Sequence, residues 1–138
     1  MVVVDSSVLI EFLRGSDGAE VQALESLLVR GVQELVAPDL VVFEVLRGCR
    51  NPAELKVANE LFNTLKVESI CSPALARRAA QDYRLLRSLG WTVRSSIDGL
   101  VARYCIQSQQ RLLHRDRDFS AYVAHCGLRS WTPPAALQ

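Results

Sequence analysis

The apolar positions of this chain change rhythm again and again, from short unbroken runs to stripes repeating every three or four residues, and that switching predicts strands followed by helices. Val2-Val3-Val4 reads as a short buried strand, and Ser6-Ser7-Val8-Leu9-Ile10-Glu11-Phe12-Leu13 as a helix opened by capping residues and closed near Gly15. Ala19 to Val29 places Val21, Leu24, Leu27 and Leu28 at helical spacing and stops at Gly31. Glu34-Leu35-Val36-Ala37 is a second strand, Pro38-Asp39 starts a helix through Leu46, and after Gly48 and Asn51-Pro52 another helix runs from Ala53 to Leu65, closing a helical hairpin.

Lys66 to Cys71 alternates polar and apolar residues as a third strand, and Ser72-Pro73 opens a long helix to about Leu89 before Gly90. Ser95 or Ser96 caps a helix from Ile97 to about Gln107, Arg111-Leu112-Leu113-His114 is strand four, and Asp116 to Ala124 is the last helix. Leu128 to Trp131 adds a candidate edge strand, ended by Pro133-Pro134. This order predicts an α/β fold, a parallel sheet of four to five strands between helical layers.

Composition narrows the class. At 138 residues and 49% hydrophobic, the chain is expected to fold as one domain, 1–138, burying roughly two-thirds of the surface its unfolded form exposes. Met1-Val2-Val3-Val4-Asp5 puts a carboxylate where a signal peptide needs a basic start, and no run spans a bilayer, so a cytoplasmic protein with no membrane partner is expected. Cys49, Cys71, Cys105 and Cys126 stand singly and are expected to be buried reduced thiols. His114, His125 and Cys126 fit no structural zinc spacing.

A net charge of +1 gives no overall field toward nucleic acid. Of the 16 basic residues, however, only Lys56 and Lys66 are lysines, and arginine binds phosphate through a two-pronged contact. Arg77, Arg78, Arg84 and Arg87 share one predicted helix, which a solvated face also explains, while Arg94, Arg115 and Arg117 lie near the acidic residues considered next.

Those acids are Asp5, Glu44, Asp98 and Asp116. Asp5 and Asp116 could simply cap the helices after them, and Asp98 could be a first-turn acid. In a parallel sheet, though, every strand-to-helix junction lies at the carboxyl edge, so Asp5 and Asp116 share that edge, and Asp98 joins them if its connector returns there. Glu44 is the only charge in Leu40-Val41-Val42-Phe43-Glu44-Val45-Leu46, too deep in its helix to cap it. Four carboxylates in one cleft need cations, and oxygen-only ligands favour magnesium or manganese. Such a site suits hydrolysis of a phosphodiester. No G-x-S-x-G, Walker loop or G-x-G-x-x-G occurs.

These residues in this order resemble the PIN-domain ribonucleases, in particular the compact VapC-type toxins. The likeness is carried by Val3-Val4-Asp5-Ser6-Ser7-Val8-Leu9-Ile10, by Glu44 after Ala37-Pro38-Asp39, by Ser96-Ile97-Asp98-Gly99-Leu100-Val101-Ala102, and by Leu112-Leu113-His114-Arg115-Asp116-Arg117-Asp118-Phe119. The resemblance implies a three-layer α/β/α fold with Asp5, Glu44, Asp98 and Asp116 holding one or two Mg2+ or Mn2+ ions. Asp118 would assist as a further acid, unless it is only a first-turn helix acid, and Ser6 or Ser7 would orient Asp5, unless it only caps the helix. The implied activity is cleavage of structured RNA, a tRNA or a ribosomal loop, by a homodimeric toxin that a VapB-type antitoxin inhibits, with Arg94, Arg115 and Arg117 as candidate RNA contacts.

Two other functions compete. The same fold could serve as a catalytically silent module that binds RNA or protein, its acids acting only as caps. An aspartyl-nucleophile phosphatase or receiver-like domain is the third, but Asp5-Ser6-Ser7 lacks the second nearby acid that such a site uses.

Overall fold

The computed structural model describes residues 1–31 and 35–132. Its elements in chain order are β1 (Val2–Val4), α1 (Ser6–Leu13), α2 (Ala19–Arg30), β2 (Leu35–Pro38), α3 (Asp39–Arg47), α4 (Pro52–Thr64), β3 (Lys66–Glu68), α5 (Pro73–Ser88), α6 (Ser96–Ser108), β4 (Arg111–Leu113), a short 3-10 helix (Arg117–Phe119) and α7 (Ser120–His125). Capping side chains start several of the helices. Asp5 accepts from Ser7 N, Asn51 from Glu54 N, Ser72 from Leu75 N and Ser95 from Asp98 N, each satisfying a donor that the first helical turn leaves free.

All four strands are parallel, in the order β3-β2-β1-β4. The chain steps outward from β1 to β2 to β3 and then returns past them to β4, on the other side of β1. Parallel crossovers are right-handed, so outward and returning connections must lay their helices on opposite faces of the sheet. Accordingly α1 packs on α2, α3 and α4, while α5 packs on α6 and α7, giving the three layers. β1 lies in the middle with Val3 and Val4 fully buried, against Leu9, Leu24, Val36, Leu112 and Phe119.

The reversal of direction opens a crevice at the carboxyl ends of β1 and β4, where doubly wound sheets hold their ligands. Behind it, Arg103 of α6 makes two 2.7 Å hydrogen bonds to the Asp82 carboxylate of α5. Both residues are buried, so the pair fixes how the two helices dock.

The structure departs from the sequence expectation at element ends. β3 stops at Glu68 rather than Cys71 because its neighbour β2 ends at Pro38, and the Ile70 N–H turns instead to Asp39 Oδ1 at 3.4 Å. The last helix begins as the 3-10 helix under Asp116 and becomes α-helical only at Ser120. The expected fifth strand reduces to a single parallel bridge, Leu112 to Ser130. Glu34 and Pro133-Pro134 fall outside the described residues. Of the four free thiols only Cys105 is fully buried, and Cys71, in the loop beyond the shortened β3, is exposed. Among the described residues no helix is long and apolar enough to cross a membrane.

Candidate metal centre

Asp5 ends β1, and its N–H makes the last ladder bond, to Leu113 O at 3.0 Å. Its carboxylate divides its work. Oδ2 accepts the Ser7 N–H at 3.1 Å and the Ser7 hydroxyl at 2.6 Å, while Oδ1 is buried and finds no donor among the described residues. Glu44 reaches the same place from α3, where Val41 and Val45 anchor the helix in the core and the Ser6 hydroxyl donates to Glu44 Oε1 at 3.1 Å. The two serines therefore have separate duties, Ser6 toward Glu44 and Ser7 toward Asp5. Sequence could not divide them, because both stand in the first turn of α1.

Asp98 enters from the opposite layer, on the first turn of α6, with its Oδ2 buried and without a donor among the described residues. Asp116 follows β4 and caps the 3-10 helix, its Oδ1 accepting the Asp118 N–H at 2.9 Å. One carboxylate oxygen each from Asp5, Glu44 and Asp98 lie within 4.8 Å of one another, and so do one each from Asp98, Asp116 and Asp118. Asp98 belongs to both groups. Capping and clustering are thus not rivals: Asp5 and Asp116 cap with one oxygen and keep another. Asp118 stands in the same group as Asp116 and is at the same time an acid in the first turn of the 3-10 helix.

The electrostatics follow from this crowding. Burial pushes the Asp98 carboxyl up to about 8, and the charges of Asp5, Asp116, Glu44 and Asp118 add to the shift. Burial also raises Asp5, against the bonds from Ser7. For Glu44, burial and then Asp5 push upward, while the Ser6 hydroxyl and the Arg47 guanidinium pull back. Buried carboxylates repelling one another, with orphaned oxygens and no nitrogen or sulfur in either group, fit a hard divalent cation. His114, His125 and Cys126, whose spacing fits no structural zinc pattern, form no such group among the described residues.

The arginines named from sequence divide. Arg94 and Arg117 are exposed and pair with no carboxylate among the described residues. Arg115 instead reaches Glu11 at 3.4 Å and Glu20 at 3.9 Å, tying the β4 end to α1 and α2. Sequence reading missed Tyr122. Its ring is fully buried and its hydroxyl lies 2.8 Å from where a Cβ on Gly99, the residue after Asp98, would stand. The only sequence signal was a glycine inside a helical pattern.

A family model described as the PIN domain matches residues 2–124. Ribonuclease VapC11 of Mycobacterium tuberculosis is 29% identical over 130 residues, covering 94% of this chain and 97% of that protein. Among solved structures, VapBC2 from Rickettsia felis bound to a promoter DNA fragment superposes with a TM-score of 0.74 at 14% identity, over 95% of this chain and 98% of the other. Mycobacterium tuberculosis VapC20, described as a sarcin-ricin loop cleaving toxin, gives 0.69 at 20% identity, over 96% and 100%.

Proposed function

Since the chain belongs to the PIN-domain family, we propose that it is a metal-dependent endoribonuclease, the toxin of a toxin–antitoxin pair, folded as one domain and held inactive by a VapB-type antitoxin. The observation that carries this reading is Asp98, shared between two acidic groups whose members come from both helical layers. The ribonuclease name of the M. tuberculosis relative, which matches over nearly the whole chain, supports it. Structured RNA, a tRNA or ribosomal loop, is the substrate class, the cytoplasm the site of action, and a homodimer the assembly.

Asp5, Glu44 and Asp98 would hold one Mg2+ or Mn2+, and Asp98 with Asp116 and Asp118 a second. When bound, such ions lower the pKa of a water and stabilise the leaving oxygen. The chain's own groups do the remaining work. Ser7 and Ser6 fix the rotamers of Asp5 and Glu44 before any ligand arrives, which lowers the cost of ordering the site. Arg94 and Arg117, which pair with no carboxylate among the described residues, would receive the RNA phosphates, whereas Arg115 can do so only by giving up Glu11 and Glu20.

A silent binding module would need neither Glu44, which caps nothing, nor unpartnered buried oxygens on Asp5 and Asp98. The test is cleavage of bulk tRNA and rRNA in manganese. Chelation should abolish it, and Asp5→Asn should slow it roughly a hundredfold or more, as expected when a few kcal/mol of transition-state stabilisation are lost. Equal cutting by parent and Asp5→Asn protein would refute the assignment.

A further inference from the structure

We propose that Phe43 and Arg47, on the flank of α3 beside Glu44, form a stacking platform for a nucleobase of the RNA strand next to the cleaved phosphodiester. This rests on the ribonuclease reading. Phe43 is 55% exposed, on the face of α3 turned away from the buried Val41 and Val45. The Arg47 guanidinium carbon lies 5.4 Å from the centre of its ring. Phe43 and Arg47 are four residues apart and Glu44 and Arg47 three, spacings that put them side by side on a helix surface.

Two relations tie this pair to the acidic cleft. The Ser6 hydroxyl holds Glu44 on the site side of α3, and Arg47, three residues on, stands beside Glu44 on the helix surface. Arg47 pairs with no carboxylate among the described residues. A cleft lined with acids repels a polyanion, so a strand needs a hold beside it. A flat apolar ring backed by a guanidinium offers that hold to a base, whose faces stack on aromatics whatever its identity. Phe43 is the one large apolar residue that α3 exposes.

The probes are a fluorescein-labelled ten-nucleotide RNA of mixed sequence and a strand of equal length lacking bases, titrated by anisotropy against Asp5→Asn protein in magnesium. The base-bearing strand should bind about tenfold tighter than the abasic one, as one stacked base contributes. Adding Phe43→Ala or Phe43→Leu should bring the two strands to within about twofold, and adding Phe43→Trp should retain the preference. Preference that persists in the alanine and leucine variants overturns the platform. So does equal binding of both strands by the Asp5→Asn protein, which would leave the ring to a protein partner. If the parent cuts neither bulk tRNA nor rRNA in manganese, the ribonuclease reading itself falls; if it cuts but shows no base preference, only the platform does.

Discussion

The Ser7 hydroxyl donates to Asp5 Oδ2 at 2.6 Å and accepts the Arg115 backbone N–H at 3.2 Å, so one oxygen joins the carboxyl ends of β1 and β4. Asp5 therefore does not choose its own rotamer. The strand on the far side of the crevice helps to hold it.

Ser7→Ala should cost more than the loss of one helix-capping contact. A hydrogen bond to a charged group contributes about 1.5–3 kcal/mol, and losing a group that orients a metal ligand typically weakens metal binding about 10–100-fold. Manganese calorimetry should show that loss for Ser7→Ala and recovery with Ser7→Thr. Ser6→Ala should act more weakly, because Glu44 is only half-buried. Equal manganese affinity in Ser7→Ala and parent would show that the hydroxyl does not orient Asp5 for the ion.

Gly99→Ala places a methyl 2.8 Å from the Tyr122 hydroxyl, and a fully buried ring has nowhere to retreat. Overpacking of this kind costs about 1–3 kcal/mol, against a gain of up to about 1 kcal/mol from helix propensity. Removing the hydroxyl leaves the Tyr122 Cζ at 3.8 Å, an ordinary contact. Urea melts should therefore show Gly99→Ala destabilising alone and neutral or stabilising together with Tyr122→Phe. A penalty that persists in the double variant rules out the hydroxyl clash.

The acidic cluster should make stability depend on pH in a direction opposite to that of salt-bridged acids. Folded protein keeps the Asp98 proton up to about pH 8, whereas the unfolded chain releases it near 3.8. Between those values the folded state binds more protons, so metal-free stability falls as pH rises. The upward shifts of Asp5 and Glu44 act in the same sense. Burial depresses His114 below its ordinary 6.5, which works the other way and fades only about one pH unit above 6.5, where the unfolded imidazole has lost its proton. The clean window is about pH 7.5 to 8: in chelator, Tm should decline across it, and manganese affinity should rise as protons are displaced. A flat Tm in chelator would mean the carboxylates do not crowd one another.

Asp82→Asn leaves the Arg103 guanidinium buried without its counter-charge, which costs about 3–5 kcal/mol. Replacing both residues with apolar side chains of similar volume should cost much less. Chemical denaturation of the single and paired variants measures the difference. Equal losses in both would place the energy in packing and not in charge.

Much of this was legible in the letters. The alternation from Val2 to Leu113 reported the parallel sheet because strand and helix demand different periods, and Glu44 stood out because a lone charge on an apolar helix has to lead somewhere. Element ends were less legible: whether Glu68 or Cys71 ends β3 depends on where its neighbour β2 stops, not on its own residues. The order of strands was equally hidden, since no local pattern reveals that β4 returns beside β1.

By itself, then, the sequence determined which acids could act and that the sheet's carboxyl edge would carry Asp5 and Asp116. Only the folded chain decided that Asp98 stands between two carboxylate groups, that Ser6 serves Glu44 while Ser7 serves Asp5, and that Arg115 is bound to Glu11 and Glu20. The reason is physical. Periodicity and capping act over a few neighbouring residues, whereas these pairings join side chains as far apart along the chain as Glu11 and Arg115, and packing of the whole core sets such distances.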